Sequence, residues 1–196
     1  MRSVQEAHRK NLELTHQPDF AEWMIAKIRS LGTPVLRIHV SGDFYSASYI
    51  DAWRQIVRAS QRVTFFSYTR SWRKADLVSD LLRLANLPNM QLWWSLDRTD
   101  SSAPYVYGIR RAYLALDDED AAAAPADCDL VFRDKVGTVM KKANTVFVCP
   151  PENGVKTKDK ITCSKCGVCY SAKPPKWEQA IWGTINDNQL VSISAD

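Results

Sequence analysis

Cys163, Cys166 and Cys169 follow one another with two residues between each pair, in the run Thr162-Cys163-Ser164-Lys165-Cys166-Gly167-Val168-Cys169. A fourth cysteine, Cys149, lies fourteen residues before the first of them and is followed at once by Pro150. Thiolates are the soft ligands that zinc and iron–sulfur clusters select, and three at this spacing can wrap one face of a compact metal centre. The segment 149–170 is therefore read as a cysteine-rich metal-binding loop. Cys128, the fifth cysteine, stands outside the group.

The spacing also speaks to which metal. Bacterial ferredoxin runs set three cysteines two residues apart and place the remaining ligand elsewhere, before a proline. Here the isolated Cys149-Pro150 precedes the triple. An iron–sulfur cube needs its ligands splayed over separate irons, which short turns of Ser, Lys, Gly and Val permit. Structural zinc more often takes two separated Cys-x-x-Cys pairs that close a tetrahedron. The expectation is one [4Fe-4S] cluster on Cys149, Cys163, Cys166 and Cys169, with zinc as the alternative.

The chain must build a scaffold for this loop. At 196 residues it is long enough for a sizeable core in one domain spanning 1–196. It carries 24% charged residues, a net charge of +4 and a pI near 8.8. That mild basicity is compatible with an anionic partner and equally with an ordinary solvated surface. No apolar run is long enough to span a membrane, and the polar start Met1-Arg2-Ser3-Val4 lacks a signal-peptide core. A cytoplasmic location is expected. In that reducing compartment clustered cysteines point to metal or redox chemistry, not to disulfides.

Residues 1–32 read as two helices. The first, 3–15, has a thin apolar stripe of Val4, Ala7, Leu12 and Leu14. The second starts at Pro18-Asp19 and ends near Gly32. Residues 33–148 form a βα core. Strands are predicted at 35–40, 63–68 and 90–95, separated by helices from Ser46 to about Ser60 and from about Ser71 to Asn86. Alternating strands and helices predict parallel pairing. Shorter strands follow at 112–116 and 129–132, with a loop or short helix over 117–127. A helix at 135–143 and a last strand at 145–148 run directly into Cys149. The fold class is α/β: a parallel sheet of about six strands, open or a partial (βα)6 barrel. The tail 171–196 is irregular, with Trp177 and Trp182 packed on the body.

Ligands of parallel α/β proteins bind beyond the carboxyl ends of the strands. Those ends read Ser41-Gly42-Asp43, Thr69-Arg70, Ser95 with Asp97-Arg98 beyond, and Cys149. Asp43, Arg70 and Ser95 are the catalytic candidates, and Ser41, Gly42 and Asp43 a candidate cofactor-binding turn. Asp43 serves a turn equally well. Strand alternation groups Arg37, His39 and Ser41 opposite Leu36, Ile38 and Val40, and groups Gln91 with Trp93 and Ser95. A polar inner face suits a ligand-holding lumen. The simpler reading pairs Arg37 with Asp43 or Asp97 and makes His39 a satisfied core histidine.

The segments His39-Val40-Ser41-Gly42-Asp43-Phe44 and Phe66-Ser67-Tyr68-Thr69-Arg70, with Cys149-Pro150 and the cysteine triple, resemble the gene product 88 domain family of bacteriophages and actinobacterial mobile elements. The resemblance covers about residues 4 to 170. It implies a phage or prophage origin and groups the four cysteines, and it brings no biochemical activity. Relatives often carry a further cysteine-rich stretch before the first helix, which is not found here. The architecture is also loosely similar to the partial barrels of radical S-adenosylmethionine enzymes, in which a glycine-acid motif touches the cofactor. Ser41-Gly42-Asp43 is the analogue there. The cysteine spacing and position differ, and Cys149 would close the iron that those enzymes leave open.

Three functions follow. One is a phage iron–sulfur protein with a redox or unassigned catalytic role and a redox partner. Another is a nucleic-acid-binding protein with a structural metal, using Arg70, Arg73, Lys74, Lys156, Lys158, Lys160, Lys165, Lys173 and Lys176 with Tyr170 and Trp177. The third is a zinc-stapled interaction protein.

Overall fold

The computed structural model describes residues 2–100, 103–133, 148 and 149, and 162–171. The described strands are β1 (Val35–Arg37), β2 (Thr64–Thr69), β3 (Met90–Leu96), β4 (Arg110–Ala115) and β5 (Leu130–Arg133). They are hydrogen-bonded in the order β1-β2-β3-β4-β5. Pairing is parallel where the register is defined: Val35 opposes Thr64, Trp93 opposes Arg110 and Ala112 opposes Leu130. The helices are α1 (Arg2–Thr15), α2 (Phe20–Leu31), α3 (Ala47–Ala59), α4 (Ala75–Ala85), α5 (Asp118–Ala122) and α6 (Cys163–Cys166). The chain is thus an α/β protein with a parallel sheet, as the alternation of periods predicts.

By packing, the chain divides into two compact units. Met1–Ser67 with Ser71–Met90 make the first, and Tyr68–Arg70 with Gln91–Asp196 make the second. In the first unit, α3 presents Ile50, Trp53, Ile56 and Val57 as one buried face, and α4 presents Leu77, Leu81 and Leu84. Both spacings are helical, and the two helices pack on one another. Ser46 caps α3, its hydroxyl accepting from the Tyr49 amide at 3.2 Å. Gly32 ends α2 in the left-handed conformation at φ +61°, returning its amide to the Ile28 carbonyl. Asn89 ties the connections together, its amide nitrogen donating to the carbonyls of Val57, Ser60 and Val63 at 3.0–3.2 Å.

In the second unit, β3 is buried on both faces. Leu92, Trp93, Trp94 and Leu96 are all within a few per cent of complete burial, and this is why it reads as a continuous apolar run. β4 opens with two buried arginines. Arg111 is paired with Asp127, donates to the Ala103 carbonyl and stacks on the Tyr105 ring. Asp120 in α5 accepts from the Tyr113 hydroxyl at 2.6 Å and the Leu116 amide at 2.9 Å.

Two sequence expectations are corrected. The first strand is only three residues long. Beyond Arg37 the Ile38 amide still reaches Phe66 O at 3.0 Å, but Val40 is 84% exposed while His39 is buried. Hydrophobicity alone extends the strand further than its hydrogen bonds do. On α1, Val4, Leu12 and Leu14 are exposed, so its apolar stripe is not a core face. The helix at 135–143, most of the strand at 145–148 and the tail with Trp177 and Trp182 lie outside the described residues. Val148 alone of that strand is described, and it bridges Val131 in parallel.

Candidate functional site

The cysteine loop closes on itself. One helical turn, α6, carries Cys163 and Cys166 on the same face, with the Cys166 amide bonded to Thr162 O and the Gly167 amide to Cys163 O, both at 2.9 Å. Gly167 then takes φ +67°, a conformation that a side chain disfavours, and reverses the chain into a 3-10 turn over Val168–Tyr170. The reversal brings Cys169 back within electrostatic reach of Cys163 and Cys166. The Tyr170 hydroxyl donates to Cys163 O at 3.1 Å and fastens the two ends of the loop together.

The same unit holds the loop from beneath. Trp93 of β3 donates its indole N–H to Cys169 O at 2.8 Å. Arg110 of β4 donates to Val168 O at 2.7 Å and to the Ser171 hydroxyl at 3.3 Å. Its guanidinium lies 4.0 Å above the Trp93 ring, with Asp129 3.8 Å from its Nε. Cys149 lies beside β5, its amide donating to Val131 O at 2.9 Å. Cys149, Val168 and Cys169 all pack against the cluster of Trp93, Ala112 and Leu130, with Tyr68 and Phe132 beside them.

Electrostatics follow from this placement. Burial pushes the Cys169 thiol pKa up, and the neighbouring Cys163 and Cys166 add to that. The Tyr68 hydroxyl and the Arg110 charge oppose the rise. Burial draws the Arg110 pKa down, while Asp129, Tyr68 and Cys169 support its charged form. Cys169, half-buried, thus has a cation and a hydroxyl beside it. None of the five cysteines is in a disulfide, and Cys128 sits fully buried near Tyr113. Among the described residues, no three Cys, His, Asp or Glu side chains are gathered as a single-ion site requires.

The other candidates fall elsewhere. Ser41, Gly42 and Asp43 belong to the first unit and line a cavity of about 620 Å³ with His8, Tyr45 and Tyr49. Ser41 and His8 are hydrogen-bonded at 3.1 Å. Asp43 accepts from the Phe44 amide at 2.7 Å. His39 is a satisfied core histidine, bonded to the Tyr49 hydroxyl at 3.1 Å and the Ser67 hydroxyl at 3.4 Å. Burial lowers its pKa to about 4; Asp43 opposes the shift and Arg37 adds to it. Arg37 is exposed rather than buried and donates its Nε–H to the His39 carbonyl at 2.6 Å, and Asp97 pairs with Arg70 at 2.7 Å in the second unit. Ser95, also in the second unit, is half-buried. Of the basic residues proposed for nucleic acid, Arg70 is ion-paired and Arg73 lies over the Trp72 ring. Lys156, Lys158, Lys160, Lys173, Lys176 and Trp177 lie outside the described residues. Sequence reasoning missed Arg110, whose only signal is a charged residue opening an otherwise apolar strand.

A parallel α/β sheet carrying a closed three-cysteine loop defines the class. Residues 1–172 match the family described as Gene product 88, and the chain belongs to that family. It is 24% identical over 174 residues to the Gene 88 protein of Mycobacterium phage L5, covering 84% of this chain and 64% of that one. It is likewise 24% identical over 144 residues to the Gene 88 protein of Mycobacterium phage D29, covering 71% of this chain and 52% of the relative. The chain thus spans between half and two-thirds of the length of these relatives. No solved structure matches it. Among the described residues, no helix is long and apolar enough to cross a membrane.

Proposed function

We propose that this chain is a phage-type iron–sulfur protein that carries one [4Fe-4S] cluster on Cys149, Cys163, Cys166 and Cys169 and passes electrons through it. The observation that carries the reading is the common anchorage of the loop. Trp93 and Arg110, on neighbouring strands, hold two successive carbonyls of the cysteine loop, and Cys149 packs on the same Trp93 cluster as Cys169.

Four protein thiolates leave no iron free for substrate, which favours electron transfer over chemistry at the cluster. The group would supply a one-electron couple when bound. The chain's own residues do the rest. Arg110 places a positive charge beside the Cys169 sulfur, where it offsets part of the negative charge that four thiolates bring. Trp93, Tyr68 and Phe132 cover the inner side of the loop and keep water from it. Gly167 and the Tyr170 hydroxyl fix the loop's reversal.

Metal and sulfide analysis with a visible spectrum, on protein purified without air, tests this. About four irons and four sulfides per chain with a brown colour are expected. A colourless protein with about one zinc would replace electron transfer with a structural staple.

A further inference from the structure

A cleft of about 710 Å³ opens in the first unit where α2 and α3 end and β2 begins. Its floor is apolar, made by Ile25, Ile28 and Val63. Its walls carry three arginines: Arg29 from the last turn of α2, Arg58 from the last turn of α3, and Arg62 from the turn before β2. All three are exposed, and none is ion-paired with a described residue. Three other helical arginines of this unit are matched: Arg9 with Glu13, Arg54 with Asp51 and Arg83 with Asp80. No carboxylate stands among the residues lining the cleft.

The charge balance decides what such a cleft attracts. Two helix carboxyl ends bring about half a negative charge each. Three guanidinium groups outweigh them and leave a net charge of about +2, so the cleft selects anions. Guanidinium forks match phosphate oxygens. A small-ligand site buries most of its ligand, whereas these arginines stand in solvent. An open, arginine-walled cleft with an apolar floor suits a run of phosphates whose sugar and base faces can lie on that floor. A duplex hides those faces, and a single strand presents them.

We propose that this cleft binds single-stranded nucleic acid through its phosphates. The inference is independent of the metal reading, since every residue it uses lies in the first unit.

The test is fluorescence anisotropy of a labelled oligothymidylate titrated with the full chain, purified without air, across a range of salt. Arg29→Glu/Arg58→Glu/Arg62→Glu is expected to weaken binding at least about tenfold. It should also flatten the dependence of log Kd on log salt by about 2, at roughly 0.7 per phosphate contact. The same charge reversal at Arg9, Lys10 and Arg83 should preserve most of the affinity. The single variant Arg62→Gln, in an exposed turn, reads the same site with a slope change of about 0.7 if the triple variant fails to fold. Absence of binding, equal losses in the two triple variants, or a slope that Arg62→Gln leaves unchanged would overturn the proposal. So would a duplex of the same length bound as tightly, or displacement of the strand by inorganic phosphate at matched ionic strength.

Discussion

Arg110 and Trp93 are stacked, the guanidinium 4.0 Å from the ring centre, and they donate to adjacent carbonyls of one loop, Val168 and Cys169. Each therefore fixes the other's orientation as well as the loop's. Trp93→Phe keeps the apolar body and removes the donor to Cys169 O. The expected cost is about 1–2 kcal/mol, the price of a half-buried carbonyl left unmatched. Trp93→Ala should cost about 3–5 kcal/mol, because a cavity opens as well. Urea melts of the three proteins check the order; a Trp93→Phe protein as stable as the parent would mean that the hydrogen bond contributes nothing, and equal losses in the two variants would mean that no cavity opens.

Arg110→Met removes a positive charge beside Cys169 while keeping much of the stem that lies on Trp93. If the cluster reading is right, the reduced state loses more than the oxidised state does. The midpoint potential should then fall by on the order of 50 mV or more, from a Coulomb term of one to a few kcal/mol at protein-like dielectric. Spectroelectrochemical titration reads this directly. An unchanged potential would place the guanidinium's role in packing alone.

Cys166→Ser should lose the bound metal and the visible absorption, since Cys166 is at the centre of the triple. Retention of full metal content would move the site elsewhere. Cys128→Ser should keep the metal, because Cys128 is buried near Tyr113 and outside the loop. It should still lose about 1–3 kcal/mol, as a hydroxyl replaces a thiol in a fully buried position.

His39 makes stability depend on pH. Its folded pKa, lowered to about 4 mainly by burial, lies below the value of about 6.5 expected when unfolded. Between those values the unfolded chain binds the proton and the folded chain does not, so stability falls as pH drops from 6.5 towards 4. The full effect is about 3 kcal/mol at 1.36 kcal/mol per pKa unit. Melts at several pH values, with His39→Phe as the reference, isolate it. A His39→Phe protein with the same pH slope would show that other groups carry the dependence.

Asn89→Ala strips donors from three carbonyls at once and is expected to cost about 2–3 kcal/mol. A loss below about 0.5 kcal/mol, measured by urea titration, would mean that water replaces the amide without penalty.

Much of this arrangement is legible in the residues. The apolar run at 90–95 marks a strand buried on both faces, Ser46 marks a helix start, and Gly32 marks a helix end. The cysteine spacing marks a single compact loop, which Gly167 and Tyr170 close. What the chain does not declare depends on neighbours far away in sequence. Arg110 looks like a surface charge until Trp93 and Val168 are beside it. Val40 looks like core because nothing local says that the ladder has ended. Asp43 reads equally well as a ligand or a turn, because a carboxylate after Ser41-Gly42 serves either.

β1 stands at one end of the strand order, with three residues, a proline just before it and the charged Arg37 at its close. Pro34 turns towards β2, its carbonyl accepting from the Thr64 amide at 2.9 Å, and Ile38 does the same through its amide to Phe66 O at 3.0 Å, so only Val35 and Arg37 turn their backbone groups to the open side. A foreign strand would find a very short template there that closes on a charge, the kind of boundary that resists edge-to-edge growth. Crowded copies of this protein would gain little by adding strands along that side, and three residues are enough to set the limit.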